Sequence, residues 1–320
     1  MNIRGKFSNL FLSRKSMLGI LISFIGLYWA FNDFEFNIFV QSLYKVKYMY
    51  ILYACLFLWF SVWIRAIRWR YLFNMRNSPP TLFLYKTELI GYFGNNILPL
   101  RLGELMRAYI IGKEWNLPKS YVFGTVIMER LLDTITLLFI SLLLILLYPI
   151  EQQIRKNILI AFVGIILIII MIYIFFRNMK NVNIGKKINI YLIETLKGVA
   201  SINLSNILPV TLTSLIIWAI YLLDVYLIQY AFNFNLNIVE SLAILVFSSL
   251  ALAIPSAPGM FGTFHLAVKY TVIELFGILP QEANSFSIIL HSYGYVLLTL
   301  LGAYYFIQNQ VKIRDINANI

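Results

Sequence analysis

Charge is what this sequence has least of. Only 12% of its 320 residues are Asp, Glu, Lys or Arg, while 60% are hydrophobic. A water-soluble domain carries roughly 25% charged residues, so about half the usual polar coat is missing, and a mean hydropathy of +0.78 points the same way. Cysteine is almost absent. The single one, Cys55, lies in an apolar run and excludes an intramolecular disulfide and a thiolate metal site. With only two histidines, His265 and His291, no histidine-based metal motif is possible. No Gly-x-Ser-x-Gly elbow, phosphate-binding P-loop or dinucleotide glycine fingerprint occurs either. No cofactor or metal is therefore expected, although Asp and Glu side chains leave a lipid-modifying reaction open.

Acids are scarcer than bases, 14 against 26, giving a formal net charge of +12. The basic residues gather between apolar runs: Arg4, Lys6, Arg14 and Lys15; Arg65, Arg68, Arg70 and Arg76; Arg177, Lys180, Lys186, Lys187 and Lys197. That is the pattern of cytoplasmic loops under the positive-inside rule, with some attraction to anionic headgroups. No alternation of aromatic and basic residues suited to single-stranded nucleic acid accompanies it, so nucleic acid is not an expected partner.

What the sequence has in abundance is apolar runs near the ~20 residues that cross a bilayer. They cover 17–31, 48–64, 121–148, 158–176, 207–232 and 286–307. The first follows a basic start, but Asn32-Asp33-Phe34-Glu35 offers no small-residue cleavage site, so it is read as a retained span. Two further apolar regions are interrupted, at 95–103 by asparagine, proline and glycine, and at 255–262 by Pro255, Pro258, Gly259 and Gly262. Leu98 precedes a proline and is disfavoured from helix. Paired interrupted segments in the two halves of a chain are the mark of an inverted repeat whose breaks meet at a substrate site.

The expected fold is an all-α polytopic membrane protein of six full spans plus two re-entrant helical hairpins, arranged as an inverted repeat. It forms one membrane domain over 1–320, with a first half of about 1–176, a second of about 207–310, and a basic connection at 177–206. Both termini are expected in the cytoplasm, with the first hairpin opening from the cytoplasmic face and the second from the outer face. The outer segments 233–237 and 280–284 hold no Lys or Arg, as this topology requires.

Within the first interrupted stretch, 88–107, Arg101, Glu104 and Arg107 are spaced by three and share one helix face if the helix reaches back to Arg101. Two guanidiniums flanking a carboxylate suit a phosphate, which arginine grips in a bidentate fork. The plain alternative is an interfacial charged helix. Glu129, Arg130 and Asp133 form a second cluster. Each would cost roughly 2.5–3.5 kcal/mol facing lipid at mid-bilayer, so they are expected against protein or near the headgroups. Arg130 and Asp133 can pair along the helix, and Glu129 can reach an arginine of the first hairpin. The alternative is a purely structural charge network. Asp224 has no basic neighbour one turn away and needs either a cation from another helix or a proton. His265 and Lys269 follow the second break at i,i+4, with Glu274 beyond. A structural, hydrogen-bonded histidine is the plain reading there.

Arg65-x-x-Arg68-Trp69, Asn96-x-Leu98-Pro99-x-Arg101-x-Gly103-Glu104-x-x-Arg107, Glu129-Arg130-x-x-Asp133 and Pro255-x-x-Pro258-Gly259-x-x-Gly262 together resemble the lysylphosphatidylglycerol synthase transmembrane region, or flippase-like domain, family. The resemblance runs from about 15 to 310, and the Leu-Pro-x-Arg-x-Gly-Glu run is its most specific piece. It implies movement of a lipid to the outer leaflet. The 320 residues hold no soluble aminoacyl-transfer domain, so a stand-alone member is expected and lysyl transfer is not carried over. Such relatives are associated with phospholipid- or polyprenyl-linked envelope steps. The sequence departs from the family in carrying Met260 where a glycine is common, and His265 where an acid is common.

The function expected is translocation of a phospholipid or lipid-linked headgroup across the cytoplasmic (inner) membrane. Arg101 and Arg107 would hold phosphate, Glu104 and Glu129 would position them, and Arg130 with Asp133 would brace the pocket. Arg65, Arg68, Asn96, Pro258, Gly259, His265 and Lys269 complete the expected substrate-binding set. Expected partners are a membrane phospholipid or polyprenyl-linked lipid, with a second copy of the chain or an envelope-biosynthesis enzyme beside it. Two rivals stand: a membrane transferase using Glu104 or Asp133 as base on a lipid-linked sugar or phosphate, and a non-transporting assembly partner of envelope enzymes.

Overall fold

The computed structural model describes residues 14–31, 34–73, 78–98, 101–149, 186–252 and 258–318, with scattered positions between 152 and 171. Among these residues every regular element is helical. Eleven helices are continuous among the described residues: α1 (Arg14–Phe31), α2 (Phe36–Lys45), α3 (Tyr48–Tyr71), α4 (Thr81–Ile97), α5 (Gly103–Glu114), α6 (Lys119–Leu147), α7 (Lys186–Val199), α8 (Ile207–Ala231), α9 (Ile238–Ala251), α10 (Thr263–Phe276) and α11 (Pro280–Ala318). A short 3₁₀ turn, Pro258–Met260, lies between α9 and α10.

Among the described residues four helices are long and apolar enough to cross a membrane: α3, α6, α8 and the Pro280–Asn309 part of α11. The chain is a multi-pass α-helical membrane protein. The expected span at 17–31 falls in α1, whereas most of the one at 158–176, the stretch 177–185, Pro99 and residues 255–257 lie outside the described residues.

The exterior confirms the solvent. On α3, Leu56, Phe57, Trp59 and Phe60 are exposed, while Ser61, Arg65 and Arg68 are buried. That polarity is reversed from a soluble protein and is the favourable one when the surroundings are hydrocarbon. Two apolar cores lie side by side. Trp69, Leu84, Leu89, Ile111 and Val126 unite α3, α4, α5 and α6. Ile228, Ile244, Val268 and Phe286 unite α8, α9, α10 and α11. The long contact between α3 and α8 joins the two.

The interrupted regions are built from short helices. Helix α4 has 17 residues and α5 has 12, about 26 and 18 Å at the ~1.5 Å rise of an α-helix, both short of a ~30 Å hydrocarbon core. Helix α4 stops at Ile97 because Leu98, before Pro99, turns to extended backbone (φ −93°, ψ 142°). Helix α5 then folds back against α4. Gly103 permits the close approach, since a Cβ there would sit 1.9 Å from the Gly91 carbonyl oxygen.

In the second half, α9 starts on a capping box. The Asn237 side chain accepts from the backbone of Val239 and Glu240, and Glu240 reaches back to the Asn237 N–H. It ends at Ala251, after which the backbone takes left-handed angles at Gly259 (φ 71°) and Met260 (φ 59°) before α10 begins at Thr263. The two interrupted regions touch: α4 packs against the 3₁₀ turn, and the Tyr295 hydroxyl of α11 donates to the Asn96 carbonyl at 3.5 Å.

Candidate functional site

The apolar packing of α3, α4, α5 and α6 encloses a polar centre. Arg65 and Arg68 come from α3, Glu88 from α4, Arg107 from α5, and Glu129, Arg130 and Asp133 from α6. Glu129 is the hub. Its Oε1 accepts from Arg65, and from Arg130 at 3.1 Å, while its Oε2 accepts from Arg107 at 2.5 Å. Asp133 accepts from Arg65 at 3.2 Å and lies 2.7 Å from Arg68. Arg107 also donates to Glu88 at 2.5 Å and lies over the Trp69 ring at 4.0 Å. Both Trp69 and Arg68 are tied in place, the indole N–H donating to Thr125 and Arg68 to Ser214 of α8.

Four guanidiniums and four carboxylates participate, counting Glu104 at 3.7 Å from Arg130. A set of equal opposite charges is what burial demands, because charges removed from water are tolerated only when paired and hydrogen-bonded. The expected links from Glu129 to an arginine of the first interrupted region, and between Arg130 and Asp133 (3.5 Å), are present.

One expected arrangement is corrected. Arg101, Glu104 and Arg107 do not share a helix face, because α5 begins only at Gly103 and Arg101 sits before it in left-handed backbone (φ 53°). Arg107 turns inward, 3% exposed, and spends its charge on Glu88 and Glu129. Arg101 turns the other way. It is exposed, its guanidinium donates to the Leu252 carbonyl at the end of α9, and it lies 3.8 Å from the Met260 sulfur. Among the described residues no carboxylate pairs with it, while Glu104 and Arg130 stand within electrostatic reach. Arg130 is the member of the network that opens outward, 37% exposed. The outward-facing set is therefore Arg101, Glu104 and Arg130, with Arg130 in the place expected for Arg107.

The remaining expected residues divide between the breaks and the second core. Asn96 closes α4 and donates to the Thr299 hydroxyl of α11 at 2.8 Å. Pro258 opens the 3₁₀ turn, and Gly259 lies buried against the Tyr295 ring. His265 is buried among rings, 4.7 Å from His291 and 5.4 Å from Phe31. Lys269 points to α1, donating to the Ala30 carbonyl at 2.8 Å. Trp69 belongs to the Arg65-x-x-Arg68-Trp69 motif but not to the expected site, whereas Glu88 and Tyr221 are members of the network that spacing did not single out; Tyr221 accepts from Arg65 at 3.3 Å. The one available signal was Glu88 itself, an acid at the centre of an apolar helix.

The family model for the lysylphosphatidylglycerol synthase TM region matches residues 16–302. A UPF0104 membrane protein of Methanocaldococcus jannaschii is 33% identical over 219 residues, which is 67% of this chain and 93% of the relative. A UPF0104 membrane protein of Methanothermobacter thermautotrophicus is 24% identical over 296 residues, 82% of this chain and 84% of the relative. No solved structure matches the chain.

Proposed function

Because this chain belongs to the lysylphosphatidylglycerol synthase transmembrane-region family, we propose that it moves a phospholipid or lipid-linked headgroup between the leaflets of the cytoplasmic membrane. The observation that carries this reading is the position of Arg101. It is an exposed guanidinium that no carboxylate pairs among the described residues, placed where the two interrupted regions meet. A headgroup phosphate would find there the bidentate fork of Arg101, with Arg130 beside it and Glu104 to orient the pair. The buried network of Arg65, Arg68, Glu88, Arg107, Glu129 and Asp133 would hold the helices that carry these groups, and acyl chains would stay in lipid.

On this reading α4–α5 and α9–α10 are the two re-entrant hairpins of an inverted repeat. Their short helices, and the contact between the two interrupted regions, support it. Such broken helices are tolerated at membrane depth where protein or a water-filled cavity covers the freed backbone groups. A transferase with Asp133 as base is less well served, since three arginines already hold that carboxylate.

The test is translocation of a fluorescent phospholipid in proteoliposomes, by accessibility of the label to an external quencher. The wild-type protein should speed exchange and Arg101→Ala should abolish it while keeping the same elution profile in detergent. Equal exchange with Arg101→Ala would remove the residue from the site, and no exchange with the wild type would remove the function.

A further inference from the structure

Asp224 is the one buried acid in the described structure that the charge network does not use. It lies in the middle of α8, fully buried. Its Oδ2 accepts a hydrogen bond from the Tyr293 hydroxyl of α11 at 3.3 Å, and its Oδ1 has no partner among the described residues. Among the described residues no cation pairs with it. Helix α8 itself carries no Lys, Arg or His, and residues 241–251 of α9 carry no ionisable group. From α3 the facing group is Cys55; from α11 it is Tyr293, whose neighbour on α8 is Tyr221, and Arg65 is reached only through Tyr221. The carboxylates of α6 are already taken by arginines, and His291 of α11 packs on the Phe264 ring instead.

A carboxylate without a cation carries a large desolvation cost in such a place, and one added proton removes it. The position is also wired to the candidate site. Tyr221, three residues before Asp224, accepts from Arg65, and Arg65 holds both Glu129 and Asp133. Tyr221 also faces Tyr293, the hydroxyl that holds Asp224, so a charge on Asp224 reaches Arg65 through these two phenols. A proton on Asp224 removes that charge from beside them. We propose that Asp224 is the proton-binding site of this protein, and that its loading and release couple the lipid movement proposed above to a proton gradient. The coupling rests on that reading; the proton site does not.

Two measurements separate them. Infrared difference spectra of the reconstituted wild-type protein across a pH change should show the carbonyl stretch of a protonated carboxyl group appearing and disappearing. Asp224→Asn, whose amide oxygen still accepts from Tyr293, should lack it. The same band in the variant, or none in the wild type, would overturn the proton site. In proteoliposomes, a gradient of one pH unit should drive net accumulation of labelled phospholipid in one leaflet, up to about tenfold for one proton per lipid. Asp224→Asn should show none, and an equal response from it would overturn the coupling. Arg101→Ala should keep the infrared band and lose all lipid movement. A titrating band in a wild-type protein that moves no lipid would uphold the proton site and overturn the lipid reading.

Discussion

The guanidinium of Arg107 reaches the Glu129 carboxylate at 2.5 Å, across the junction of α5 with α6. The same carboxylate serves Arg65 and Arg130, so one acid balances side chains from three helices. Removing it takes one carboxylate from each of three cations and leaves the buried network with an excess positive charge. Glu129→Gln should therefore cost about 3–5 kcal/mol, the range for breaking a buried ion pair from one side. Thermal unfolding in detergent, followed by tryptophan fluorescence, measures it; an unchanged Tm would mean that the network contributes nothing to the fold.

Arg107 and Glu88 offer the complementary case. Arg107→Met alone leaves Glu88 buried without its partner, and Glu88→Gln alone leaves Arg107 half-answered. The double variant removes both charges and puts apolar atoms against the Trp69 face. It should be more stable than the sum of the single losses indicates, with a coupling of about 0.5–3 kcal/mol in a double-mutant cycle. Strict additivity would show that the two groups do not act as a pair.

Arg101 separates stability from activity. Its left-handed backbone costs an L-residue roughly 1–2 kcal/mol, and glycine adopts the same angles freely. Arg101→Gly should accordingly hold or raise the Tm while losing lipid exchange. Arg101→Lys should retain part of the exchange, because an ammonium keeps the charge but not the planar fork. A glycine variant as active as the wild type would contradict the role given to the side chain.

Gly259 combines a positive φ of 71° with a Cβ position 2.6 Å from the Tyr295 ring. Gly259→Ala meets strain from both sources, and a loss of about 1–3 kcal/mol is expected for the backbone conformation alone. Shortening the obstacle with Tyr295→Leu should recover the steric share and leave the conformational one. Full recovery would show that the left-handed backbone relaxes without cost.

Much of the architecture was legible in composition and spacing because membrane solvent enforces simple rules. Long apolar runs became α3, α6, α8 and α11, and Leu98 before Pro99 marked where α4 ends. The intrahelical partner of Arg130 was legible too, since i,i+3 spacing makes neighbours of Arg130 and Asp133. The division of labour among the arginines was not. It turns on the backbone at Arg101, where one left-handed residue sends its side chain away from Arg107, and no periodicity encodes such a turn. Nor does spacing reveal that Asp224 would meet Tyr293, 69 residues later on another helix. Contacts between helices far apart in sequence depend on packing, and single-chain patterns carry no trace of them.

The bond from Arg101 to the Leu252 carbonyl is a clasp between halves fastened by the same side chain that a visiting anion would want. A guest that takes the arginine through Nη2 must undo the clasp, and once the guest departs the carbonyl reclaims it. Arrival and loosening would then be a single event, and the idle protein would be the one held shut.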